Sequence, residues 1–203
     1  MKTFQKLFHK SNNIGEFAKG YFNRLKNILD SININSINKL EEEFEDARKN
    51  GNTIFVIGNG GSATTASSMA NDIGFDIIKR TSIKHPFRIL SLTDNNSVIT
   101  AIGNDIGSKN LFISQLKIHY RDGDKLLAIS ASGNSKNILL AADWVKERGG
   151  KIIGLLGFDG GELLKIADTV IHIKTEEGEF GPVEDLHLII NHVLAHWFTE
   201  KLK

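Results

Sequence analysis

Five short apolar runs set the frame for this chain: TIFVIG (53–58), FRILSL (87–92), KLLAIS (125–130), KIIGLLG (151–157) and TVIHI (169–173). Helical periodicity fills the gaps, at 62–78, 95–104, 108–119, 135–149, 161–167 and 183–202. Short apolar strands that alternate with helices imply βαβ units and a parallel sheet covered on both faces. Two helices come before the first strand. Residues 14–30 carry Ile14, Phe17, Ala18, Tyr21, Leu25 and Ile28 at helical spacing, and 35–49 set Leu40, Phe44 and Ala47 opposite a row of acids. The polar stretch SININSIN links them. These helices either cover the sheet or form an oligomer interface. Pro86 and Pro182 sit at element starts, where the missing N–H does least harm.

The balance of charges narrows the partners. Lysine and arginine number 25 and aspartate and glutamate 24, a formal net charge of +1 over 203 residues. Such balance gives no electrostatic case for nucleic acid or an anionic membrane. With no cysteine, disulfides, thiolate nucleophiles and cysteine metal sites are excluded. The N-terminus MKTFQKLFHKSNN is basic and has no long apolar core, which makes it a poor signal peptide. No apolar stretch approaches the ~20 residues a bilayer span requires. The expectation is a soluble cytoplasmic protein.

Two strand ends carry the same chemistry. The first reads IGNGGSATTAS, with Asn59, Gly60, Gly61 and Ser62; the third reads ISASGNSKN, with Ser130, Ala131, Ser132 and Ser135. Both are small, hydroxyl-rich and followed by a helix. Ligands of open α/β sheets bind at the carboxyl ends of strands, and helix N-termini favour anions. Two such loops can cradle one phosphate without lysine or arginine. Nucleotide motifs fail on spacing: GNGGSA lacks the last glycine of G-x-G-x-x-G, and no G-x-x-x-x-G-K-[ST] occurs, so no nucleotide cofactor is expected. A purely structural account would make both loops tight turns with capping serines.

GNGGSA before a helix and S-x-SGNS before another resemble the sugar isomerase (SIS) domain. TAIGND (100–105), GDKLLAISASGNSKN (123–137), GFDGGEL (157–163) and EDLHLIINH (184–192) look like the phosphoheptose isomerases of that family, over about residue 15 to the end. The resemblance implies a three-layer α/β/α sandwich with a five-stranded parallel sheet in flavodoxin-like order. Residues 1–50 would be N-terminal helices packing on the domain and at an oligomer interface, and 51–203 the SIS domain, as one structural unit. It implies a cytoplasmic homotetramer that converts sedoheptulose 7-phosphate to an aldoheptose 7-phosphate for surface-polysaccharide precursors. Asn59, Gly60, Gly61 and Ser62 would bind substrate, Asn104 and Asp105 would touch the sugar, and Ser130, Ala131, Ser132 and Ser135 would hold the phosphate.

The same resemblance places the base at Asp72 and its partner at His192, where the family has glutamate and histidine. Some members bind zinc between a histidine, that glutamate, a glutamine and that histidine. Those positions here are Ser68, Asp72, Glu184 and His192, so Asp72, Glu184 and His192 would be left as ligands, with Glu184 also facing substrate. Structural accounts compete here too: Asp72 as a solvated residue near Lys79 and Arg80, His192 as a core histidine like His187 or His196, Glu184 as an acid at a helix start. Ser68 and Asp72 also allow a non-catalytic phosphosugar-binding regulator or adaptor. The serines, Glu184 and His192 favour the enzyme, of heptose or of another phosphosugar.

Overall fold

The computed structural model describes residues 2–203. Its chain order is α1 (Thr3–Lys10), α2 (Ile14–Asp30), α3 (Ile34–Asn50), β1 (Thr53–Gly58), α4 (Gly61–Met69), a π-helical turn (Ala70–Phe75) and α5 (Asp76–Arg80). It continues with β2 (Arg88–Ser91), α6 (Asn96–Asp105), a short 3-10 turn (Ser108–Asn110), α7 (Leu111–His119), β3 (Lys125–Ser130) and α8 (Lys136–Lys146). It closes with β4 (Lys151–Gly157), α9 (Leu163–Ile166), β5 (Thr169–Ile173) and α10 (Phe180–Lys201).

The five strands are all parallel, in the order β2-β1-β3-β4-β5. That is the expected flavodoxin-like order. Val56 lies level with Ser91 on one side and Leu127 on the other. Successive residues feed opposite cores, because side chains alternate across a strand. Ile54 and Val56 of β1, with Leu127 and Ile129 of β3, meet Leu40 and Phe44 of α3, Met69 of α4, and Leu186, Ile190 and Leu194 of α10. Phe55 and Ile57, with Leu126 and Ala128, meet Phe112 and Leu116 of α7 and Ile138 and Val145 of α8. So β1 and β3 are buried throughout and β4 beyond Lys151, and α3 belongs to one covering layer.

Local signals set several boundaries. Asn13 and Asn33 accept hydrogen bonds from Glu16 N–H and Asn35 N–H, starting α2 and α3. Gly51, at φ 71°, ends α3 in the left-handed conformation. Three features depart from expectation. Residues 3–10 form α1, ahead of the two helices read from periodicity. The helix expected at 62–78 contains the π turn. The last helix starts at Phe180, ahead of Pro182, which the first turn tolerates. No helix among the described residues is long and apolar enough to cross a membrane.

Candidate active site

The strand order reverses at β1, which leaves a crevice between the carboxyl ends of β1 and β3. The two hydroxyl-rich loops meet there. Asn59 and Asn137 exchange amide hydrogen bonds, Asn59 Nδ2 to Asn137 Oδ1 at 3.0 Å and Asn137 Nδ2 to Asn59 Oδ1 at 2.9 Å. This pair fastens the end of β1 to α8. Within the second loop Gly133 N–H donates to Ser130 Oγ at 3.1 Å and Asn134 N–H to Ser132 Oγ at 3.2 Å. The turn after β4 braces this loop from outside: Leu163 N–H donates to Gly133 O, and Glu162 N–H to Asn134 Oδ1, both at 3.0 Å.

Between the loops lies a cavity of about 110 Å³. Asn59 and Ser62 line it from the first loop, and Ser130, Ala131, Ser132 and Ser135 from the second. Ser135 occupies the N-cap position of α8 without a side-chain capping bond, so its hydroxyl is not spent on the helix. Gly60, at φ 55°, has open space where a β-carbon would be, while a β-carbon on Gly58 would come within 2.6 Å of the Ser62 backbone. Hydroxyls, amides and the starts of α4 and α8 thus face one small space, an arrangement suited to a bound anion. Serines doing only a capping job would not converge in this way.

Two lining groups come from α10, Phe180 and Glu184. Phe180 meets Phe158 edge-on at 5.0 Å. Phe158 is the one non-glycine residue among those described with positive φ, 47°. The Glu184 carboxylate lies over Gly61, where a β-carbon would overlap it. Burial, and then the like charge of Asp185, push the Glu184 pKa up. Phe180, Phe158 and Asn137 were missed by sequence reasoning. Asn137 stands inside the SGNSKN motif that pointed to the site, whereas the two phenylalanines carry no local signal.

Asp72 and His192 do meet, in a separate cavity of about 170 Å³ that Asp76, Arg80 and His196 also line. Asp72 Oδ2 is 3.7 Å from His192 Nε2. The same oxygen accepts from Asn191 Nδ2 at 2.6 Å, and Oδ1 accepts from Asn71 Nδ2 at 2.9 Å. Lys79 and Arg80 pair with Asp76, not with Asp72. His187 is the core histidine of α10: it is buried, its Nε2 lies 3.3 Å from Leu156 O, and burial pushes its pKa down to about 4. Asn104 and Asp105 are not brought to either cavity. They sit exposed at the end of α6, the amide donating to its neighbour's carboxylate at 2.8 Å.

The zinc set does not fit. Ser68 offers no imidazole, Asp72 already accepts two amide N–H bonds, and Glu184 faces the serine cavity and not His192. A catalytic zinc takes three protein ligands. Among the described residues no group of three His, Asp or Glu side chains is placed to hold a metal. Glu184 and His192 are two turns of α10 apart, about 12 Å of helix rise, and Asp72 has too short a reach to close that gap.

Fold and site together define a doubly wound α/β protein that presents an anion cradle at its switch point. The SIS domain model matches residues 20–157. The chain is 33% identical over 189 residues to phosphoheptose isomerase 2 of Campylobacter jejuni, covering 93% of this chain and 91% of that one. It is 36% identical over 177 residues to phosphoheptose isomerase of Clostridium acetobutylicum, covering 87% and 88%. The structure of a phosphoheptose isomerase from Neisseria gonorrhoeae superposes with a TM-score of 0.80 at 27% identity, covering 93% of this chain and all of that one. The chain belongs to the SIS domain family, among its phosphoheptose isomerases, and is a phosphosugar isomerase of the aldose–ketose class.

Proposed function

We propose that the chain interconverts sedoheptulose 7-phosphate and D-glycero-D-manno-heptose 7-phosphate through an enediol, in the cytoplasm, for surface-polysaccharide precursors. The observation that carries this reading is the cavity between the β1 and β3 loops. It gathers neutral donors for a phosphate and one carboxyl group against them. Ser130, Ser132 and Ser135 hold the phosphate, and Asn59, Gly60, Gly61 and Ser62 contact the sugar. Ala131 supplies backbone where its methyl cannot donate. The relatives named for phosphoheptose favour a seven-carbon substrate.

Isomerisation needs one group to move a proton between C1 and C2 and another to protonate and deprotonate the oxygens. The Asp72–His192 pair suits the second task. Asp72 Oδ2 lies 3.7 Å from His192 Nε2, and two amide hydrogen bonds hold the carboxylate in place. No step passes through a metal. In this reading the chain works as a homotetramer, with α2, α3 and α10 at the contacts.

The test is turnover. Purified protein with sedoheptulose 7-phosphate, followed by NMR, is expected to give an aldose phosphate signal without added zinc. Binding without conversion would support the regulator reading, and conversion of a shorter ketose phosphate alone would move the substrate.

A further inference from the structure

We infer that Asn191 is a positioning residue for the Asp72–His192 pair: its buried amide holds the Asp72 carboxylate facing His192. This rests on the isomerase reading above and names the group that orients its carboxylate.

The pair does not orient itself. Asp72 Oδ2 stands 3.7 Å from His192 Nε2, beyond the ~3.2 Å at which an N–H···O hydrogen bond ends. Asp72 belongs to the π turn and His192 to α10, so two separate elements must keep their register. A carboxylate on a single methylene turns about its Cβ–Cγ bond with little resistance, because such sp³–sp² torsions have broad wells. Two amides stop it. Asn191 Nδ2 donates to Oδ2, the oxygen that faces His192, at 2.6 Å, and Asn71 Nδ2 donates to Oδ1 at 2.9 Å. The two amides differ in their surroundings. Asn71 is exposed and adjacent in the chain, so water competes for its bond. Asn191 is 0% exposed and reaches Asp72 from another element, so its bond ties α10 to the π turn.

That bond is the one side-chain hydrogen bond Asn191 makes among the described residues. Its Oδ1 is buried and finds no partner among them. Along α10 it falls between Ile190 and Leu194, both part of the apolar core. A buried amide with its acceptor unpaired is unfavourable where an aliphatic side chain would pack. Burial, the unpaired oxygen and the aim of Nδ2 therefore give this side chain one task, to fix Oδ2 and with it the plane of the carboxylate. Asn191 also directly precedes His192, so one turn of α10 carries both the imidazole and the amide that directs its partner.

The experiment measures kcat and KM for sedoheptulose 7-phosphate by NMR in wild type, Asn191→Leu, Asp72→Glu and the double variant. Leucine keeps the branched shape of asparagine and removes the donor. We expect Asn191→Leu to keep or raise the melting temperature, to hold KM within about twofold and to lower kcat by about tenfold or more. The Asp72→Glu side chain is longer by one C–C bond, about 1.5 Å, and spans toward His192 without the amide. In that background Asn191→Leu should cost less than about threefold in kcat. Equal losses in both backgrounds would overturn the assignment, because Asn191 would not be acting through Asp72. So would an unchanged kcat, or a loss carried wholly by KM. If Asn191→Leu does not fold, the smaller Asn191→Ala carries the same comparison. A wild type without turnover would remove the isomerase reading itself, and this assignment with it.

Discussion

Two glycines in the paired loops answer to different demands. Gly133 sits at φ 63°, and a β-carbon there would overlap the carbonyl oxygen of Gly160. That obstacle is backbone, so nothing can swing aside. Gly133→Ala is expected to cost about 2 kcal/mol or more from the left-handed strain and the overlap, read as a lower urea midpoint. Gly61 is the first residue of α4, and the overlap there is with the Glu184 carboxylate, the mobile end of a side chain. Gly61→Ala therefore costs little folding energy, and alanine suits a helix better. Its expected signature is an unchanged or higher melting temperature with turnover reduced tenfold or more. Full activity in that variant would show that Glu184 needs no fixed position. The sequence marks both positions as glycine at a strand end. Only the distant partners, Gly160 for one and Glu184 for the other, separate a folding glycine from a functional one.

At the scale of elements, α10 ties the site to the sheet. It supplies Phe180 and Glu184 to one cavity and His192 to the other, and it rests on β4 through buried His187. That imidazole has a folded pKa of about 4 against 6.5 unfolded. Above pH 6.5 both states are neutral and the full stability is present. As pH falls from 6.5 toward 4 the unfolded chain binds a proton that the folded chain refuses, so stability is lost, by about 3 kcal/mol in all. Urea unfolding at pH 7.5 and pH 5 should show wild type losing about 2 kcal/mol more than His187→Gln, whose amide keeps a donor for Leu156 O. Equal losses would place the acid sensitivity elsewhere. Periodicity located α10 well, because Leu186, Ile190 and Leu194 mark one face. It did not separate His187 from His192 or His196, since all three lie on one amphipathic helix and only burial differs. Nor did it show the π turn at Ala70–Phe75, where one extra residue rotates Asp72 toward Asn191. The assignment of Asp72 as base failed to anticipate those amide bonds for that reason.

For the molecule as a whole, strand number and direction were legible, because each buried strand reads as one apolar run between helices, while the strand order came from the family resemblance. What the sequence left open was the surface. Ile189, Val193 and Trp197 stand four residues apart on α10 and remain exposed, with Val193 at 48% and Trp197 at 55%. Beside them a groove of about 410 Å³ runs between α3 and α10, lined by Ile37, Val193, Leu194 and Trp197. Phe22 on α2 and Ile34 on α3 are exposed as well. A contiguous apolar stripe of this kind marks an interface, and in a symmetric assembly each copy presents it to the other. Wild type should therefore scatter light as a multiple of the single-chain mass at micromolar concentration. Val193→Glu places a charge in the stripe of every copy and leaves the monomer core untouched. The expected outcome is a single-chain mass, with a melting temperature that is lower and no longer depends on concentration. Turnover in that variant then reports on the sites. If each cavity is complete within one chain, the monomer keeps activity near wild type; if activity falls with mass, a neighbouring copy supplies part of the site, and exposed Asn104 and Asp105 are the residues it would bring. A wild type that is monomeric at these concentrations would sink the assembly.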